Sequence, residues 1–253
     1  MNIEPIPAFN DNYIWLLDDG TSAWVVDPGD AAPVLERLAL KDLALEGVLV
    51  THHHPDHVGG LEALVNATQC RVLGPDNPRV PLISEVFAEG DSASILGNAF
   101  SVLKVPGHTL DHIAWYSQEA SALFCGDTLF AGGCGRIFEG DAPMMYASLN
   151  KLTALSPETR VFCAHEYTLA NLDFARVAEP HNSALLARDT ECRLRRQRGE
   201  PTVPSTLRDE LATNPFLRPS SPDIVASLRA SGRLQDSSKV GVFAALRDWK
   251  DHF

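Results

Sequence analysis

The stretch Thr51-His52-His53-His54-Pro55-Asp56-His57-Val58-Gly59-Gly60 follows directly on the apolar run Gly47-Val48-Leu49-Val50, and no other feature limits the fold of this chain so tightly. A short valine-rich run reads as a buried strand, so the polar stretch begins where that strand leaves its sheet. In an extended segment alternate side chains point the same way. His52 and His54 therefore converge on one point while His53 faces elsewhere. Pro55 resists continuation and turns the chain, which lets Asp56 and His57 address a second, adjacent point. Imidazole and carboxylate suit zinc and the borderline first-row ions, and they do not make the all-oxygen cage that calcium prefers. The spacing fits two metals at a strand's end.

Three further residues extend the set, each after an apolar strand and each beside a small residue that leaves room for a ligand. They are His108 in Val105-Pro106-Gly107-His108-Thr109, Asp127 in Phe124-Cys125-Gly126-Asp127-Thr128, and His165 in Cys163-Ala164-His165-Glu166-Tyr167. Asp27, Asp30 and Tyr13 are available as supporting groups, with no position in sequence that assigns them a task.

The rest of the chain reads as α/β. Ala23 to Val26, Gly47 to Val50, Phe100 to Val105, Ile113 to Tyr116, Ala122 to Phe124 and Val161 to Cys163 have strand character, and Ala32 to Leu40, Leu61 to Ala67 and Met144 to Leu155 have the apolar spacing of helices. From about Thr168 the strand signal fades. Asn171 to Ala178, Ser183 to Arg198, Ser205 to Thr213, Asp223 to Ala230 and Val240 to Lys250 look helical, punctuated by Pro201, Pro204, Pro215, Pro219 and Pro222. The expectation is a catalytic α/β domain over 1–170 and a helical domain over 171–253.

A formal charge of −12 argues against nucleic acid or an anionic membrane as partner, because both are held by clustered Lys and Arg. The one dense basic stretch, Arg193, Arg195, Arg196 and Arg198, reads as a solvated helix face. Cys70, Cys125, Cys134, Cys163 and Cys192 are odd in number, dispersed and without a C-x-x-C pair, so neither a disulfide framework nor a thiolate zinc site is expected. The opening Met1-Asn2-Ile3-Glu4-Pro5-Ile6-Pro7 does not read as a signal peptide, and no run approaches the roughly 18 apolar residues of a membrane helix. A cytoplasmic location is the expectation.

The order His52-x-His54-x-Asp56-His57, His108, Asp127, His165 resembles the metal signature of the metallo-β-lactamase superfamily. The resemblance implies an αββα sandwich with the site at one edge. It implies a first metal on His52, His54 and His108, a second on Asp56, His57 and His165, and Asp127 bridging them. Asp56 and Asp127, with a metal-bound hydroxide, would then serve the catalytic step. Two divalent cations are implied, zinc first, with iron or manganese also suited to these ligands.

Further segments narrow the resemblance to the glyoxalase II family: Gly132 to Gly140, His165 to Thr168, Gly199 to Leu207, Asn214-Pro215-Phe216 and Arg247-Asp248-Trp249-Lys250. Carried over, the glutathione-binding positions fall on Arg136, Phe138, Tyr167, Arg247 and Lys250, and the helical domain becomes the substrate-binding one. The implied reaction is hydrolysis of the thioester S-D-lactoylglutathione to D-lactate and glutathione, a step of methylglyoxal detoxification, by a monomer without nucleic-acid or membrane partners. Glutathione bears two carboxylates, so three cationic side chains around it in an acidic protein make chemical sense as a local attraction. Phe138 stands where some members have Tyr, and Asp111 where Gly is usual, which leaves His112 open; it is expected to be structural. Rival activities on the same fold are a lactonase or β-lactamase and an iron-dependent persulfide dioxygenase.

Overall fold

The run Asn12–Asp18, sequence NYIWLLD, is buried along its whole length. A strand covered on both faces must lie in a sheet with a further layer on each side, and that requirement sets the architecture. In the computed structural model, which describes all 253 residues, β1 (Asn2–Ala8), β2 (Asn12–Asp18), β3 (Ser22–Val26), β4 (Ala44–Leu49), β5 (Arg71–Gly74) and β6 (Glu85–Val86) form one six-stranded sheet in that spatial order. The first three strands are antiparallel and the rest parallel. A second six-stranded sheet comprises β7 (Ser92–Ile95), β8 (Asn98–Lys104), β9 (Ile113–Ser117) and β10 (Ala122–Gly126). After a small hairpin of β11 (Leu129–Phe130) and β12 (Gly133–Cys134), it is completed by β13 (Arg160–Cys163) and β14 (Ser205–Thr206), in the order β14-β13-β10-β9-β8-β7.

Alternation along β2, β3 and β4 sorts the core into two. Tyr13, Trp15, Leu17, Trp24, Val26 and Leu49 join the apolar cluster that also contains Trp115, Phe124 and Phe162 of the second sheet. Ile14, Leu16, Val25 and Val48 instead meet Val34 and Leu38 of α1 (Ala32–Lys41) and, beyond the short α2 (Pro55–Val58), Leu61 and Leu64 of α3 (Leu61–Thr68). The expected αββα sandwich is what forms. Two indoles tie the sheets together: Trp15 Nε1 donates to Cys163 O at 2.9 Å, and Trp115 Nε1 to Val50 O at 3.0 Å. Truncating either to Ala would cost about 3–5 kcal/mol in lost packing alone. Both bonds end on strand termini that lead into site loops.

On the far side, α4 (Ala142–Thr153) packs against the C-terminal region through Met145, Leu149 and Leu152. That region is α5 (Thr168–Ala178), α6 (Ser183–Gln197), α7 (Leu207–Thr213), a 3₁₀ turn over Pro215–Leu217, α8 (Pro222–Ala230) and α9 (Lys239–Asp251). It shares the main core through Phe174, Phe216 and Phe243, and it lends the sandwich β14, which pairs antiparallel with β13. No helix is long and apolar enough to cross a membrane.

Three local outcomes differ from the sequence expectation. β1 and β2 carry no strand assignment in the sequence reading, because Pro5 and Pro7 interrupt β1; as the edge strand it tolerates them. Ser205 opens a strand rather than a helix, and α7 begins at Leu207 behind a capping box in which Thr206 and Asp209 exchange hydrogen bonds. Pro55 does turn the chain, and it does so as the first residue of α2.

Candidate metal centre

Loops from both sheets converge at one edge of the sandwich. His52, His53 and His54 leave β4 in extended backbone, with His54 at ψ 143°, before α2 carries Asp56 and His57. His108 follows β8. Asp127 follows β10, whose last residue, Gly126, has φ +46° and lies so close to Thr51 Oγ1 that an added Cβ would sit 2.3 Å from it. Only glycine fits there, and the kink aims Asp127 at the cluster. His165 follows β13. The other six side chains assemble around Asp127.

The ligand atoms of His52, His54 and His108 lie within 4.8 Å of one another, and so do those of Asp56, His57 and His165. Asp127 has one oxygen toward each group: Oδ2 is 3.4 Å from His108 Nε2, and Oδ1 is 3.4 Å from both His57 Nε2 and His165 Nε2. His52 Nε2, His57 Nε2 and Asp127 Oδ1 are buried without a hydrogen-bond partner. Orphaned buried polar atoms are costly, and here they all face the same space. Two atoms each about 2.0–2.1 Å from one tetrahedral ion lie about 3.4 Å apart, so the spacing and the orphaned atoms both fit divalent cations.

The ring tautomers agree. His57 Nδ1 donates to Asp27 Oδ2 (3.1 Å), His165 Nδ1 to Asp11 Oδ1 (2.8 Å) and His108 Nδ1 to Arg136 O (2.7 Å). Thr51 Oγ1 gives its proton to Asp27 Oδ2 at 2.7 Å and so accepts from His52 Nδ1 at 3.0 Å. Each of these four rings then turns Nε2 inward, the arrangement that carboxylates and carbonyls behind a metal-binding histidine enforce. Asn12 Nδ2 donates to Asp56 Oδ2 at 3.0 Å. Asp27, itself in left-handed backbone at φ 51°, is committed to Thr51 and His57 and has no free oxygen.

Burial pushes His52, His54 and His108 below the usual histidine range. Burial also opposes charge on His57 and His165, but the surrounding carboxylates together outweigh it, Asp127 first, with Asp27 and Asp56 at His57 and Asp11 at His165, and hold both rings above that range. Asp56 and Asp127 are likewise held low against burial, by His57 with Asn12 and by His57 with His165 respectively. His112 is pushed down to about 3 by burial. Its Nε2 accepts from Asp127 N at 3.1 Å, its Nδ1 donates to Ile113 O at 3.0 Å, and its ring stacks on His52 at 4.5 Å, so it has no nitrogen left for a metal.

The cluster opens into a cavity of about 1090 Å³ lined also by Arg79, Phe130, Arg136, Phe138, Glu139 and Tyr167. Tyr167 stacks on His165 at 4.7 Å, Phe138 stands edge-on to His108 at 5.3 Å, and Phe138 is 60% exposed. Exposed aromatic rings at a cavity mouth are a ligand surface. Burial pushes the Tyr167 hydroxyl up to about 12, which keeps it a donor.

Two expected contacts do not stand at this wall. Arg247 is 8% exposed, donates to Cys134 O at 2.9 Å and Asp251 Oδ1 at 2.8 Å, and lies over Phe216. Lys250 donates to Ala170 O at 2.9 Å. Helix α9 packs against α4, and Arg247 is on its buried face; of the three expected cations only Arg136, paired with Asp251, reaches the cavity. The five cysteines are buried and unpaired. Asp11, Asn12 and Arg79 were missed from sequence. The polar Asn10-Asp11-Asn12 turn would have signalled the first two had β1 and β2 been read as a hairpin.

Residues 8–165 match the metallo-beta-lactamase superfamily, and residues 166–253 match the family described as hydroxyacylglutathione hydrolase C-terminus. A hydroxyacylglutathione hydrolase of Chromohalobacter salexigens is 52% identical over all of both chains. The crystal structure of ETHE1 from Myxococcus xanthus aligns over 99% of this chain and 98% of its own, at 25% identity and a TM-score of 0.66. TTHA1623 in a di-iron-bound form aligns over 65% of this chain and 92% of its own, at 30% identity and a TM-score of 0.55.

Proposed function

This chain belongs to the hydroxyacylglutathione hydrolase family of the metallo-β-lactamase superfamily, and from that premise we propose that it hydrolyses S-D-lactoylglutathione to D-lactate and glutathione. The reaction would serve methylglyoxal detoxification in the cytoplasm. The observation that carries this is the meeting of two ligand groups at Asp127 on the floor of a cavity whose wall presents Arg136, Phe138 and Tyr167. His52, His54 and His108 would hold one divalent cation, Asp56, His57 and His165 the other, with Asp127 between them. Zinc is the first choice for this donor set, and iron is suited to it too, as TTHA1623 binds two irons. Bound there, such cations supply Lewis acidity toward a carbonyl and bring the pKa of water toward neutrality.

The chain's own residues prepare that chemistry. Asp27, Asp11 and the Arg136 carbonyl fix the ring orientations of His57, His165 and His108, so their Nε2 atoms are aimed at the cluster before substrate arrives. Asn12 and His57 keep Asp56 anionic, and His57 and His165 keep Asp127 so. Phe138 and Tyr167 flank the thioester and exclude water from one side. Arg136 offers its guanidinium to a glutathione carboxylate. Arg247 and Lys250 form a second line behind it, able to reach a carboxylate once Asp251 and the Ala170 carbonyl are exchanged for it.

The test compares S-lactoylglutathione, a short glutathione-free thioester, a lactone and a β-lactam on the wild type and Arg136→Ala, with metal analysis of the same samples. The glutathione thioester should be preferred, and Arg136→Ala should raise KM about three- to tenfold for it alone. Preference for the lactone or the β-lactam would replace this function with a broader metallohydrolase.

A further inference from the structure

At the rim of the cavity, four side chains take no part in the chemistry above: His53, Asp111, Glu139 and Arg79. Asp111 accepts from Asn77 Nδ2 at 2.7 Å and from the His53 ring at 2.9 Å. Arg79 can only donate, and its Nη1 lies 2.6 Å from His53 Nε2, so that nitrogen accepts and the ring proton sits on Nδ1, given to Asp111. The same Nη1 donates to Glu139 Oε1 at 2.9 Å, and Glu139 Oε2 is held by the Leu110 amide at 3.0 Å. His53, Asp111 and Glu139 could in principle hold a cation, but the guanidinium already fills that role.

Arg79 is thus fixed through one nitrogen. Its Nε and Nη2 have no partner in the protein, and its side chain is 64% exposed. Arg79 and Arg136 are the only permanent cations on the cavity wall. They stand at opposite ends of one segment: Arg136 leads toward Asp251 on α9, and Glu139, three residues on, leads to Arg79. The backbones of Arg136 and Glu139 are at most about 11 Å apart, at no more than roughly 3.6 Å per residue, and glutathione is itself a tripeptide with a carboxylate at each end.

We propose that Arg79 is a specificity-determining residue that grips one carboxylate of the glutathione moiety while Arg136 takes the other. The Asp111–His53 pair holds Arg79 in register, which gives Asp111 a purpose where the family usually has glycine. This rests on the hydrolase function above. A planar fork with two free donors matches a carboxylate bidentately.

The experiment measures steady-state kinetics of the wild type, Arg79→Gln, Arg79→Lys and Arg136→Gln on three S-lactoyl thioesters: those of glutathione, γ-glutamylcysteamine, which lacks the C-terminal carboxylate, and N-acetylcysteinylglycine, which lacks the γ-glutamyl one. Arg79→Gln should raise KM for the glutathione thioester about three- to tenfold at nearly unchanged kcat, and Arg79→Lys should recover part of that. The penalty should vanish for the truncated thioester that lacks the carboxylate Arg79 grips, and the Arg136→Gln penalty should vanish for the other. That pattern also says which carboxylate is which. An equal penalty on all three thioesters, or none on any, overturns the assignment while leaving the hydrolase function intact. A wild type that turns over none of the three overturns both.

Discussion

His52, His54 and His108 lie on one side of Asp127, and Asp56, His57 and His165 on the other, yet the two groups keep their protons in opposite ways. The first group is pushed toward neutral imidazole by burial and by neighbouring rings. The second is backed by carboxylates, with Asp27 behind His57 and Asp11 behind His165, and its imidazoles hold protons more tightly. One half of the centre is therefore ready to donate lone pairs near neutral pH, whereas the other must release protons to any cation that enters. The halves differ first because Asp127 Oδ1 lies against both His57 and His165, and then because Asp27 and Asp11 stand behind those rings where a neutral hydroxyl, Thr51, and a backbone carbonyl support the first group.

The strongest challenge to that comparison is Asp127→Ala, which removes the one side chain facing both halves. Metal content should fall at both positions and activity by at least about a hundredfold. A variant that retains two metals and most of its activity would show that Asp127 joins nothing.

Asp11→Ala separates the halves more finely. It frees His165 to rotate without touching His52, His54 or His108, so one of two binding steps in a metal titration against a chelator should weaken about 10–100-fold and the other stay put. Equal weakening of both steps would mean that the centre binds as a single unit.

The mildest effect concerns pH in metal-stripped protein. His52, His54, His108 and His112 have folded pKa values below the unfolded value of about 6.5, so the stability they contribute is present above that pH and is lost as pH falls through it, toward about 3 for His112. His57 and His165 act oppositely: their contribution is complete below about 6.5 and is lost as pH rises through their raised folded values. Four lowered groups against two raised ones should make the urea midpoint drop between pH 7 and 5. A midpoint that rises on acidification would reverse the contrast between the halves.

Much of this was present in the linear order of residues. Alternation after β4 put His52 and His54 on one side and His53 on the other, and His53 turns to Asp111. The apolar runs before His108, Asp127 and His165 made strands that end at one edge. By contrast, β1 was hidden by its prolines, because a sequence does not say which strand will be the edge. Arg247 had the residue type of a ligand-binding cation, yet it stands on the buried face of α9 with its donors on Cys134 and Asp251.

The sequence by itself determined which seven side chains gather at one edge of the sandwich and that most of them follow directly on a strand, since strand period and proline or glycine breaks act over a few residues. Tertiary structure alone decided which groups stand behind them. Asp11 and His165 are 154 positions apart, Asn12 and Asp56 are 44 apart, and Arg79 and Glu139 are 60 apart. A hydrogen bond demands approach to about 3 Å in a fixed direction, and only the strand order within the first sheet, for Asn12 and Asp56, and the meeting of loops from both halves of the sandwich, for the other two pairs, bring such distant residues within that reach.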